Sequence, residues 1–207
     1  MSERIIVGVA GLIGSGKNTA ADYLVNFQEF RTESFADSLK DAVSNIFGWD
    51  RTMLEGRTKV SREWRETIDP YWSKRLGIYE LTPRWVLQYF GTDVCRVGFH
   101  DDIWIASLEN KILKSSDNIV ISDLRFPNEL KALKNIGAKT VLVRRGELPD
   151  WYDTAVLANK GDLDAKAELD VLGIHSSESS LAGAHFDYII DNNGTIDELY
   201  YNISTIL

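Results

Sequence analysis

The chain has 207 residues, 44% of them hydrophobic, and a formal net charge of −8. That length and apolar content suffice for one domain, 1–207, with a sizeable core, and the acidic balance argues against a nucleic-acid partner. Cys95 is the single cysteine, so no intrachain disulfide can form; with no apolar run of membrane-spanning length, a cytoplasmic protein without a membrane partner is expected.

The first element is a short apolar strand, Ile5–Val9, followed by GLIGSGKNT (residues 11–19) and then a helical stretch, AADYLVNF. Strand, glycine-rich loop and helix in that order form the context of a phosphate-binding P-loop. Gly11, Gly14, Ser15 and Gly16 supply a tight turn with exposed backbone N–H groups. The positive end of the following helix adds to their pull on phosphate oxygens. Lys17 can reach β- and γ-phosphates as a flexible point charge. The next position calls for a hydroxyl to ligate Mg²⁺ but holds Asn18, whose amide oxygen can hold the metal or a metal-bound water. Thr19 can contact the α-phosphate. Arg4 and the apolar stretch to Ile13 have the length of a secretory signal, but Glu3 before it and Lys17 after it argue against that reading.

Further along, Ala20, Leu24 and Phe27 share a helical face, and Thr32–Phe35 reads as a short strand. Leu39, Val43, Ile46 and Phe47 make another apolar stripe. Residues 49–82, rich in Trp, Arg and Glu, break the alternation; they are either an acceptor-binding insertion or surface decoration. Within them Arg62 and Arg65 can grip a phosphate from one helical face or simply be solvated. Thr82–Pro83 starts a helix, and Trp104, Leu108 and Ile112 form the stripe of the next.

Asn118–Ser122 is a buried strand that delivers Asp123 at its end, where a carboxylate can meet a Mg²⁺–phosphate group. Arg125, two residues on, can clamp a phosphate. Pro127 opens a helix carrying Leu130 and Leu133, which Gly137 closes. Thr140–Arg144 is a strand ending in Arg144 and Arg145, either of which can supply charge to a transferring group. Residues 146–178 are polar and partly helical, a lid or decoration. His175, Ser177 and Glu178 can read a base or sugar, or cap a helix. Asn159-Lys160-Gly161-Asp162 matches the guanine-reading signature of GTPases, but the preceding WYDTAVLA reads as helix rather than strand. Phe186–Ile190 is the last strand, and Thr195-x-x-Glu198 is a capping box before an apolar stripe. The histidines lack zinc spacing. Alternating strands and helices with a P-loop at the first turn predict a three-layer α/β fold around a central parallel sheet.

Taken together, GLIGSGKNTAAD (11–22), FADSLKDA (35–42), REWRETID (62–69), LQYFGTDVCR (87–96), DDIWI (101–105), VISDLRFPNE (120–129), HSSE (175–178) and DYIIDNNGTIDEL (187–199) resemble the deoxynucleoside monophosphate kinases of tailed bacteriophages. The resemblance runs almost the whole length in the same order. It implies a P-loop NTPase fold and transfer of the ATP γ-phosphoryl to a deoxynucleoside 5′-monophosphate, with Mg²⁺. It implies that Gly14, Gly16, Lys17, Asn18 and Thr19 bind ATP, and that Leu39, Lys40, Arg65, Arg125 and Glu178 line the acceptor site. Relatives often carry Asp where Asn18 stands. A homodimer is compatible with the family. On the mechanism expected, Asp123 holds the metal and Arg144 or Arg145 meets the transferring group as 146–178 closes. Two other readings are a dephospho-coenzyme A kinase-like enzyme and a GTP-binding switch built on Asn159–Asp162.

Overall fold

A computed structural model describes residues 4–207. In chain order the elements are β1 (Ile6–Ala10), α1 (Lys17–Phe27), β2 (Phe30–Glu33), α2 (Asp37–Phe47), α3 (Arg51–Glu55), α4 (Lys59–Arg65), α5 (Pro70–Leu76), α6 (Pro83–Tyr89), a π-helix (Phe90–Val97), α7 (Ile103–Leu113), β3 (Asn118–Ile121), α8 (Pro127–Asn135), β4 (Lys139–Arg144), α9 (Tyr152–Asn159), α10 (Leu163–Val171), α11 (Ser176–Ser179), β5 (Tyr188–Asp191) and α12 (Ile196–Ser204). Among the described residues, 4–34 and 112–207 make one compact unit and 35–111 a second.

The first unit is an α/β structure. Its five strands are all parallel, in the order β2-β3-β1-β4-β5. Alternation along each strand sorts the side chains onto two faces. Val7 pairs with Val120, Val9 with Val141 and Val143 with Ile190. Those residues share one apolar cluster with Ala20, Ala21 and Leu24 of α1 and Leu199 and Ile203 of α12. The opposite face receives α8: a Cβ on Gly8 would lie 2.5 Å from Leu133 Cδ1. Helices therefore cover both faces of the sheet, as the wholly buried central strand β1 requires. Thr195 and Glu198 close the expected capping box on α12, and Pro127 begins α8 at its first turn.

Three expectations shift. β2 runs Phe30–Glu33 rather than 32–35; its exposed positions are the polar Arg31 and Thr32, and Arg31 pairs with Glu33 at 2.9 Å and Asp117 at 3.1 Å, as suits an edge strand. β5 starts at Tyr188, not Phe186. Asp187 Oδ2 instead accepts hydrogen bonds from the Thr140 backbone N–H (2.8 Å) and hydroxyl (2.6 Å), so a side chain takes the place of a ladder bond. Phe27 and Ile46 are 65% and 53% exposed, off the buried faces assigned to them. Phe27 joins an aromatic group with Tyr23 and Tyr200.

The second unit is helical. Its core of Val43, Trp49, Leu54, Leu81 and Val86 is joined by Leu39, Phe47, Trp64 and Trp72. The tryptophans that interrupt the α/β pattern in the sequence are thus a core of their own. Two of the indole N–H groups are satisfied inside the unit, Trp49 by Asp69 Oδ2 (2.8 Å) and Trp72 by the Phe47 carbonyl (3.1 Å). Leu54 is 0% exposed at the centre of this cluster. Leu54→Ala is expected to cost about 2–5 kcal/mol of stability. Urea unfolding followed by tryptophan fluorescence measures it, and a midpoint within error of wild type would show that the cluster does not stabilise the unit.

Candidate active site

Parallel pairing puts the carboxyl ends of β1, β3 and β4 at one edge of the sheet. Ligands bind at that edge where neighbouring connections diverge, here around the central β1. The loop after β1 is 11–16, Asp123 and Arg125 follow β3, and Arg145 follows β4. The sheet thereby gathers residues more than a hundred positions apart.

At the end of the loop Gly16 holds φ +99° and serves as the N-cap of α1, a conformation that L side chains rarely adopt. Ser15 is buried, and its hydroxyl oxygen has no hydrogen-bond partner among the described residues. Lys17 Nζ donates to the Leu12 carbonyl at 3.3 Å. Burial pushes the Lys17 pKa below the ordinary lysine value; the nearby Arg125 charge adds to this, and Glu178 opposes it. A cavity of about 340 Å³ opens beside the loop. Its polar lining includes Ser15, Lys17, Arg125, Arg145, Ser177 and Glu178, and its apolar wall includes Trp151.

Arg144 and Arg145 part company. Arg144 donates to Asp191 through Nε (2.9 Å) and Nη2 (3.2 Å), tying β4 to β5. Arg145 is exposed at the cavity and makes no ion pair among the described residues. His175 caps α11, its Nδ1 accepting the Ser177 N–H at 3.2 Å. Ser177 and Glu178 line the cavity, and the Ser177 hydroxyl lies 3.5 Å from Arg125 Nη1. Gly14, Asn18 and Thr19 stand on the loop and first helical turn, outside the cavity lining.

Asp123 accepts a hydrogen bond from the Ser34 hydroxyl at 2.6 Å. The described residues contain no group of three or more His, Cys, Asp or Glu suited to caging a metal. A single carboxylate among oxygen donors nevertheless fits Mg²⁺, which keeps waters and substrate phosphates as its other ligands.

Glu129 was not singled out in the sequence. It is 3% exposed, and its Oε2 accepts the backbone N–H of Arg125 (2.9 Å) and Phe126 (3.0 Å). The carboxylate fixes the turn from which Arg125 projects. Its signal was present: a Glu at the third position of a helix opened by Pro127.

In the helical unit, Lys40 Nζ pairs with Glu55 at 2.7 Å. Arg51 binds Glu55 as well, and also Asp37 (3.0 Å) and Asp41 (2.6 Å). Burial works to raise the Glu55 pKa, but hydrogen bonds from Lys40 and Arg51 outweigh it and hold the pKa low. Leu39 packs over Gly91, where a Cβ would meet its Cδ2 at 2.7 Å. The Arg65 guanidinium lies over Gly56, and its buried Nε has no hydrogen-bond partner among the described residues. Burial, then the charge of Arg84, lowers the Arg65 pKa. The GTPase-like tetrad is consumed by structure. Asn159 Nδ2 donates to the carbonyls of Ser179 (2.9 Å) and Ala182 (3.0 Å), while Asp162 caps α10.

Residues 74–161 match the family described as Deoxynucleotide monophosphate kinase. A putative deoxynucleotide monophosphate kinase of Acanthamoeba polyphaga mimivirus is 30% identical over 213 residues, covering 96% of this chain and 94% of that protein. The deoxynucleoside-5′-monophosphate kinase of Escherichia phage T5 is 28% identical over 179 residues, covering 63% of this chain and 72% of its own length. Among solved structures, TT1252 from Thermus thermophilus aligns with 99% of this chain and 97% of its own at a TM-score of 0.49 and 16% identity. Identity of 30% sustained over 96% of its length with the mimivirus protein places this chain in the deoxynucleotide monophosphate kinase family.

Proposed function

We propose that the chain transfers the γ-phosphoryl group of ATP to the 5′-phosphate of a deoxynucleoside monophosphate, yielding the diphosphate and ADP. The observation that carries this reading is the 30% identity to a kinase relative over 96% of the chain. The clustering of Lys17, Arg125 and Arg145 at one cavity is what such a reaction needs. The reaction is ATP-dependent chemistry on mononucleotides, which belongs in a cytoplasm.

Phosphoryl transfer depends on alignment and charge compensation more than on covalent help from the protein. On this reading the loop N–H groups and Lys17 bind the β- and γ-phosphates. Asp123 and Asn18 would hold Mg²⁺, whose charge offsets that of the phosphates when it is bound. Arg125 orients the acceptor phosphate, with Ser177 and Glu178 alongside it, and Lys40 and Arg65 are the acceptor-binding residues assigned to the helical unit. An acceptor oxygen forms a bond to the γ-phosphorus as the bond to the β-bridging oxygen breaks. The acceptor phosphate is largely dianionic at neutral pH (second pKa about 6), so no side chain has to remove a proton. Arg145 meets the transferring group, because Arg144 is committed to Asp191. Residues 146–178 exclude the water that would hydrolyse ATP.

Lys17→Ala is expected to lower kcat about 10²-fold or more with the fold retained by circular dichroism; near-normal dNMP-dependent ADP release would contradict the loop's role. The depressed pKa of Lys17 carries a pH signature. The folded state binds fewer protons than the unfolded chain between that depressed value and the ordinary lysine value of about 10.4, so this residue's contribution to stability improves as pH rises through the window. Activity moves the other way as Lys17 loses its charge. Lys17→Met should therefore leave the nucleotide-free melting temperature at pH 7 unchanged or higher while abolishing transfer. A clear drop in melting temperature would overturn the assignment of a strained lysine.

Arg65→Ala is expected to raise the acceptor KM about 10- to 100-fold, in line with loss of a charge-assisted contact, and to leave the ATP KM unchanged. Unaltered kinetics with the best acceptor from a panel of deoxy- and ribonucleoside monophosphates would remove Arg65 from the site.

A further inference from the structure

The chain leaving β5 reads Asp191-Asn192-Asn193-Gly194, and each of its first three side chains makes a separate attachment. Asp191 holds Arg144. Asn193 Oδ1 accepts the Gly146 backbone N–H at 2.7 Å, immediately after Arg145. Asn192 Nδ2 donates to the carbonyl of Ser15, inside the phosphate loop, at 2.9 Å. The backbone of Asn192 is itself pinned, its N–H donating to the Arg144 carbonyl at 2.7 Å. The amide thus reaches the loop from a fixed base.

The geometry of the peptide unit gives this bond its meaning. In a trans peptide the C=O and the following N–H point in opposite directions within one plane. Holding the Ser15 carbonyl toward Asn192 therefore turns the Gly16 N–H away from it. Gly16 is the N-cap of α1, where N–H groups and the helix dipole together favour an anion. The contact is close enough that a Cβ on Gly16 would collide with Asn192 Nδ2. Without this partner, the Ser15–Gly16 peptide could rotate about the Ser15 ψ and the permissive Gly16 φ and lose its orientation.

We propose that Asn192 is a positioning residue for the donor nucleotide, its side-chain amide fixing the Ser15–Gly16 peptide so that the Gly16 N–H is aimed at the triphosphate. The inference rests on the loop being the ATP site. Asn192 touches no phosphate itself; it acts through the loop.

Two variants test it. Asn192→Ala removes the donor without adding charge. Asn192→Asp keeps the shape but sets an acceptor against the Ser15 carbonyl. Calorimetric titration of the full chain with ATP and Mg²⁺ is expected to show the dissociation constant raised roughly three- to thirtyfold in both variants, the scale of one lost hydrogen bond with its partner left unmet. At saturating ATP the dNMP KM stays at the wild-type value. A merely structural role would instead lower the melting temperature and leave the ATP constant in place. ATP binding within twofold of wild type in either folded variant overturns the inference alone, since it leaves wild-type turnover and the kinase reading standing. Failure of the wild-type chain to bind ATP overturns the loop reading and this inference with it.

Discussion

The parallel pairing of β1 between β3 and β4 governs the rest of the molecule. Because the three strands point the same way, each must end at the same edge, and each releases its chain into the same region. The phosphate loop, the Asp123–Arg125 turn and the Arg144–Arg145 pair come together for that reason alone. β5 extends the sheet in the same sense and brings Asp191–Asn193 alongside. A parallel sheet buried on both faces cannot slip by one residue without turning Val7, Val9 and Val143 out of their apolar layer. Register is therefore also what keeps the site aligned.

Charge is distributed differently in the two units. In the helical unit one group of carboxylates and cations is matched within it: Arg51 with Asp37, Asp41 and Glu55, and Lys40 with Glu55. Arg65 presents a buried Nε that no described residue engages. In the α/β unit, burial and then the nearby Arg125 disfavour the charge of Lys17, with Glu178 as partial relief. Cations held near one another in a protein of net charge −8 concentrate positive potential where phosphate groups would lie.

Much of this arrangement was legible in the sequence, and the reasons differ by element. The loop could be read because strand, glycines and helix follow one another without interruption. β3 and β4 could be read because burial on both faces makes a strand continuously apolar. β2 was displaced because an edge strand tolerates Arg31 and Glu33 and so loses its apolar signature. The true start of β5 was hidden by Asp187, whose side chain imitates a backbone partner. Residues 49–82 looked irregular because a small helical core built on tryptophan stacking has neither strand periodicity nor a long amphipathic stripe. Arg144 and Arg145 were indistinguishable until Asp191 was placed opposite one of them. Glu129 carries a capping signal after Pro127, whereas Asn192 acts on a backbone carbonyl and nothing in a side-chain pattern marks that role.

Gly8 illustrates how far a single missing carbon can reach. Leu133 occupies the space a side chain there would need, and Leu133 belongs to the helix whose Glu129 anchors the backbone of Arg125. An alanine at position 8 would have to displace the tip of Leu133, on the helix whose Glu129 holds Arg125. A position with no chemistry of its own thus carries a packing constraint that an exposed cavity residue such as Arg145 does not.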